Sequence, residues 1–351
     1  MFKQKINQLR KLLEKHSANQ IILQAKDPNF YWLLEEKIEK ATLIITKKET
    51  TLITKPLEAI PKNIDAQIKI IKIIKIKKSS DIKEIAKEKI RGKTLLNYDE
   101  MTLKDVDDMN LKKIGNISNE LAQIRQTKTQ NEIKKIKIAC NHTVKCWKQI
   151  IKKLENKRLK TEKQISNYIK KYALENNLEL AFNPVVASGN NAGVPHHVPG
   201  NKLKKGFLVI DMGFSYRGYK SDMTRTIYIG DITKKERQIY KELLFVQEEM
   251  IKRAKPNISA QKLHENAQKL MGKNSELFIH GLGHGLGVYI HEKPSILQES
   301  EDKIKENDVL TIEPGYYTKK YGIRIEDTIL IGKTNNTILT KKATKKLKII
   351  K

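Results

Sequence analysis

Four acidic residues stand where apolar, strand-like runs give way to turns. KGFLVIDMG places Asp211 at the end of one run, and SDMTRTIYIG places Asp222 at the start of the next. NDVLTIEPGYY and YGIRIEDTILIG repeat the plan with Glu313 and Glu326. The members of the first pair are 11 residues apart and those of the second 13, so each pair can close into a hairpin that brings two carboxylates together. A carboxylate at the edge of an apolar core is costly without a strong partner. Four gathered together repel one another, and a metal ion supplies more compensating charge than a lysine can. The matching plans read as a degenerate internal repeat.

HGLGHGLGVYIHEKP, residues 280–294, holds His280, His284 and His291, three of the chain's eight histidines. It is no phosphate loop: GxGxxG would need a glycine where Leu286 stands, and GK[ST] is missing. HExxH is missing too, because Lys293, Pro294 and Ser295 follow His291 and Glu292. What remains is a flexible backbone holding imidazoles close to something else.

In the order VIDMG, SDMTRT, GHG, TIEPG and RIED, the residues Asp211, Asp222, His284, Glu313 and Glu326 resemble the ligands of the pita-bread metallopeptidases, the family of methionine aminopeptidase, aminopeptidase P and prolidase. The resemblance spans residues 126–345. It implies two divalent ions on those five residues, with Asp222 and Glu326 among the shared ligands. A shell of four carboxylates and one imidazole suits Mn²⁺, the first choice, or Co²⁺, Zn²⁺ or Fe²⁺ better than copper. Two such ions can hold a bridging water and lower its pKa to make a hydroxide nucleophile. Creatinase, a metal-free relative, lacks these acids.

The resemblance also implies roles for other residues. Glu313 carries a proton as well as binding metal. His196, in SGNNAGVPHHVP, and His291 contact the scissile carbonyl or the oxyanion it becomes. His280 lines the substrate pocket, and Tyr317 matches the tyrosine of the EPGxY form, near the oxyanion. Arg324 lies two residues before Glu326 on the same side of a strand and steadies a metal-binding carboxylate. His197 has no family role.

EPGYY resembles aminopeptidase P and prolidase, whereas methionine aminopeptidases have Met after EP. The first 125 residues are similar to the domain attached to proline-specific members. Both favour hydrolysis of an Xaa-Pro bond, whose amide lacks an N–H. The first expectation is an Xaa-Pro aminopeptidase acting on peptides with proline second. The alternative is an Xaa-Pro dipeptidase (prolidase), and behind it a non-enzymatic binding protein on the same fold. A homodimer is expected.

Positioning these residues requires two domains, the default for 351 residues. The fold expected is α+β: an N-terminal creatinase-like α/β domain, 1–125, and a C-terminal pita-bread domain, 126–351. In the first, an amphipathic helix carries Phe2, Ile6, Leu9 and Leu13 on one face. NQIILQA, ATLIITKK, TTLITKP, QIKIIKIIKI and KTLLNYD read as strands, with DIKEIAKEKI as a helix. Thr129, with Glu132 three residues on, opens a long helix, and a second runs from Thr161 to Asn176.

No signal peptide or apolar run long enough to span a membrane is present, which points to a cytoplasmic protein. Cys140 and Cys146, six apart in a helix, read as free structural thiols. The net charge of +29 divides into +9 over residues 1–125 and +20 over the rest. It is spread, aromatics are 6%, and the bias to Lys, Ile and Asn fits low-GC coding, so nucleic acid is not the expected partner.

Overall fold

The computed structural model describes residues 2–55, 71–75 and 81–351. The strands expected at 67–76 and 50–56 lie partly outside those residues. Two compact units result, Met1–Ile124 and Arg125–Lys351.

In the first unit the helix Phe2–Lys15 buries Phe2, Ile6, Leu9 and Leu13, the face its periodicity sets apart. A six-stranded sheet runs in the order Ile71–Lys75, Thr50–Thr54, Ala41–Thr46, Gln20–Gln24, Lys93–Leu96, Lys113–Asn116. Its last three strands are mutually parallel, and the helix Leu103–Asp108 forms the crossover between the final two.

The second unit repeats one plan twice. Thr129 and Glu132 form a reciprocal capping box at the start of the helix Gln130–Glu155, and Thr161 caps Glu162–Glu175. The strand Gly206–Met212 then pairs antiparallel with Met223–Ile229, Asp211 opposite Thr224. A further helix pair follows, Lys234–Arg253 and Ala260–Met271, which the sequence reading does not anticipate. After it Val309–Ile312 pairs antiparallel with Asp327–Leu330, Ile312 opposite Asp327. The first helix pair shares one apolar cluster with the first hairpin, and the second pair shares another with the second hairpin. Cys140 and Cys146 are both free and buried.

Arg225 joins the hairpins. It is 1% exposed and donates from Nη2 to Asp327 Oδ1 at 2.6 Å, from Nη1 to the Thr224 and Glu326 carbonyls, and from Nε and Nη2 to the Ala343 carbonyl. Asp327 also accepts from Thr340 Oγ1 and Gln247 Nε2 and lies 3.1 Å from Lys345 Nζ. Asp327→Ala leaves the guanidinium buried without its paired carboxylate, so unfolding in guanidinium chloride is expected to show a loss of about 3–5 kcal/mol.

Candidate metal centre

Strand ends place the four acids. Asp211 is the penultimate residue of its strand, Asp222 directly precedes Met223–Ile229, Glu313 directly follows Val309–Ile312, and Glu326 directly precedes Asp327–Leu330. Cross-links fix one hairpin against the other: the Glu326 N–H donates to the Thr224 carbonyl (3.1 Å), and Thr328 Oγ1 to the Asp222 carbonyl (2.6 Å).

His284 enters on the short strand Gly283–Gly285, between Glu292–Ile296 and Val309–Ile312. A Cβ on Gly283 would lie 2.1 Å from the Thr311 carbonyl oxygen, and one on Gly285 would lie 2.0 Å from that of Lys293. The glycines flanking His284 therefore permit close approach of three backbones.

Acceptors converge at the centre. His284 Nδ1–H donates to the Gly285 carbonyl at 3.0 Å, so the lone pair of the neutral ring is on Nε2. That nitrogen faces Asp222 Oδ2 at 3.7 Å and Glu313 Oε1 at 3.4 Å. One ligand atom each from Asp222, His284 and Glu326 lies within 4.8 Å of the others. Asp211 Oδ1 and Asp222 Oδ1 are buried without a hydrogen-bond partner.

Burial, and then the neighbouring acids, push the Asp222 and Glu326 carboxyls well above their usual range. Burial raises Glu313 as well, against the opposing pull of His280 and Arg324. Burial lowers His284, keeping its ring neutral. A hard, oxygen-rich shell with one imidazole nitrogen and orphaned buried oxygens fits a divalent cation.

Around the acceptors lies a hydrogen-bond network of fixed polarity. Arg324 donates from Nη2 to Asp211 Oδ2 (2.6 Å), from Nη1 to Tyr317 OH (2.9 Å) and from Nε to Thr224 Oγ1 (3.0 Å). The carboxylate it steadies is thus Asp211 of the other hairpin. Because arginine only donates, Thr224 spends its own hydrogen on Glu326 Oε2, 2.8 Å away. Thr311 does likewise, accepting from the His284 N–H and donating to Glu313 Oε1. His280 donates from Nδ1 to the Gly281 carbonyl, leaving Nε2 to accept from Tyr317 OH at 3.0 Å.

These groups border a cavity of about 500 Å³. His196, His280, His291, Arg324 and all five candidate ligands line it, and Tyr317 reaches it through His280 and Arg324. His291 stands edge-on to His284, ring centres 4.4 Å apart. The sequence reading missed Thr224 and Thr311, and also the apolar wall of Phe182, Pro195, Ile290 and Leu297. His197 is structural: its Nε2 meets Glu162 Oε2 at 2.9 Å, in a cluster with Ser188, Asn191 and the Gly200 N–H.

The pattern of metallopeptidase family M24 matches residues 134–333. The chain is similar to the Xaa-Pro dipeptidase of Pyrococcus furiosus, 33% identical over 349 residues that cover 97% of this chain and 98% of the relative. Among solved structures it is similar to the prolidase from Pyrococcus horikoshii OT3, with 28% identity, a TM-score of 0.86 and coverage of 98% and 99% of the two chains. It shares its fold with the X-Pro aminopeptidase from Thermotoga maritima MSB8, at 24% identity, a TM-score of 0.79 and coverage of 95% and 97%.

Thr224→Val removes the hydroxyl between Arg324 and Glu326 but keeps its shape. Calorimetric titration with Mn²⁺ is expected to show affinity falling about 10- to 100-fold. His197→Ala, outside the network, is expected to leave that affinity unchanged.

Proposed function

Because the chain belongs to metallopeptidase family M24, in its proline-specific branch, we propose that it is an Xaa-Pro dipeptidase, hydrolysing the bond between an amino-terminal residue and a carboxy-terminal proline. The observation that carries this reading is the cluster of four acids and one imidazole, two of its buried oxygens without a donor, set in a cavity of about 500 Å³, a volume suited to a small ligand. Similarity to a dipeptidase along 97% of the chain supports the dipeptide as substrate. That reverses the order expected from sequence, where the aminopeptidase came first. EPGYY and the N-terminal domain could not separate the two, because the fold is common to a prolidase and an X-Pro aminopeptidase.

Asp211, Asp222, His284, Glu313 and Glu326 would hold two divalent cations, Mn²⁺ for preference, whose Lewis acidity activates a water and polarises the scissile carbonyl. Glu313 has Oε1 tied to Thr311, which leaves Oε2 to take a proton from the attacking water and return it to the departing nitrogen. The proline nitrogen leaves as a secondary amine and needs that proton. His196, exposed at the cavity edge, and His291, on its wall, donate to the carbonyl oxygen as it gains charge. His280 and Tyr317 shape the pocket beside Arg324. Among the described residues no helix is long and apolar enough to cross a membrane.

Purified protein should be assayed with an Xaa-Pro dipeptide and an Xaa-Pro-Xaa tripeptide, with Mn²⁺ and with chelator. Turnover of the dipeptide alone, abolished by chelator, is expected; equal turnover of the tripeptide would restore the aminopeptidase reading. Glu313→Gln is expected to lower kcat about 10²- to 10⁴-fold, and unchanged turnover would remove Glu313 from the proton path.

A further inference from the structure

A buried ion pair lies beside the cavity, outside the metal centre. Lys128, 4% exposed, donates all three of its N–H bonds: to the Arg125 carbonyl (2.9 Å), the Gln126 carbonyl (2.8 Å) and Glu292 Oε2 (2.9 Å). Glu292, 5% exposed, accepts at Oε1 from the Tyr289 N–H at 3.1 Å and from Arg125 Nε at 3.4 Å. The Arg125 guanidinium carbon also lies over the Tyr289 ring, 4.7 Å from its centre. Gly287 makes room, since a Cβ there would lie 2.6 Å from Glu292 Oε2. A tight turn from the Gly287 N–H to the Tyr289 carbonyl completes the loop.

The carbonyls of Arg125 and Gln126 anchor the Lys128 ammonium, and its bond to Glu292, with those of Arg125 and the Tyr289 N–H, holds the turn that ends in Ile290 and His291, both on the cavity wall. Glu292 begins the strand Glu292–Ile296, so its backbone carries His291 directly into a sheet. A compact ammonium meets three acceptors in three directions, which a planar guanidinium cannot.

We infer that the Lys128–Glu292 pair, seated by Arg125 and Gly287, is a positioning device for His291, fixing the angle at which that imidazole faces substrate. The inference rests on the role proposed above for His291. Glu292 and Lys128 touch no reacting atom; they act through the backbone of the neighbouring residue. Their contribution should therefore appear in kcat and leave cation binding alone.

The test uses the full chain loaded with Mn²⁺ for kinetics and with diamagnetic Zn²⁺ for spectra, comparing Lys128→Arg, the charge-free double variant Lys128→Met with Glu292→Gln, and Gly287→Ala. The last keeps both charges and only displaces the carboxylate, so it remains informative if the other two do not fold. Expected in the folded variants is a fall in kcat for an Xaa-Pro dipeptide of about 10- to 100-fold, the scale of an ångström-sized misplacement, with KM and Mn²⁺ affinity unchanged. In a His291→Ala background the same substitutions should cost nothing further. The His291 signal in a ¹³C-histidine spectrum, assigned by its loss in His291→Ala, should shift or broaden. Unchanged kcat with an unchanged signal, or losses that add fully to that of His291→Ala, would overturn the inference. If wild-type protein cleaves no Xaa-Pro peptide the proposed function fails instead, and the spectrum alone then decides whether the pair positions His291.

Discussion

Mutual repulsion among Asp211, Asp222, Glu313 and Glu326 is the constraint around which the second unit is built. At an effective dielectric near 20, two carboxylates 4 Å apart oppose each other by about 4 kcal/mol, and burial adds the loss of water. A chain left to itself would splay the two hairpins that carry them. The hairpins stay together because Arg225 and Asp327 form a buried ion pair between them, and because backbone and threonine hydrogen bonds join the Thr224 and Glu326 segments. The rigidity of that support lets four like charges be presented at one place.

The doubled plan serves the same end. One helix pair and one hairpin deliver Asp211 and Asp222; a second helix pair and hairpin deliver Glu313 and Glu326. In each hairpin the acids flank an excursion between the strands, so the carboxylates sit at strand ends, where the backbone is pinned by the ladder. His284 then comes from a third strand inserted in the second sheet. Loops alone would hold the five candidate ligands less firmly than strands braced by two apolar cores.

Much of this was legible in the sequence, and what was not has a common physical reason. The strands with terminal acids, the capping box at Thr129 and Glu132, and the buried face of the first helix are local patterns of period and spacing. Thr224 and Thr311 looked like ordinary strand residues, because their roles depend on the partners that folding brings: Arg324 is 100 positions from Thr224. Glu292 and Lys128 are separated by 164 positions, so nothing in HEKP announces a buried ammonium. The helices Lys234–Arg253 and Ala260–Met271 are the exception, since the capping box of Thr233 and Glu236, the Ser259 cap and their buried faces are local signals of the same kind. Periodicity reports elements, whereas a polar network assembled across the fold leaves no periodic trace.

The chain provides its own contrast for the ligand assignment. Glu162, Glu292 and Asp327 are as buried as the candidate ligands, yet each meets donors from the protein: Ser188, Asn191 and Gly200 for Glu162, Lys128 and Arg125 for Glu292, and Arg225 and Thr340 for Asp327. Burial alone would raise all three carboxyls, but these partners outweigh it and hold them below the usual range. Asp222 and Glu326, similarly buried, and the partly buried Glu313 are shifted the opposite way. The structural acids each meet enough donors to outweigh burial, whereas the candidate cluster has single donors on Asp211, Glu313 and Glu326 and leaves Asp211 Oδ1 and Asp222 Oδ1 with none, the balance expected of a site that takes up a cation. Arg324 sharpens the distinction, since it takes one oxygen of Asp211 and leaves the other without a donor.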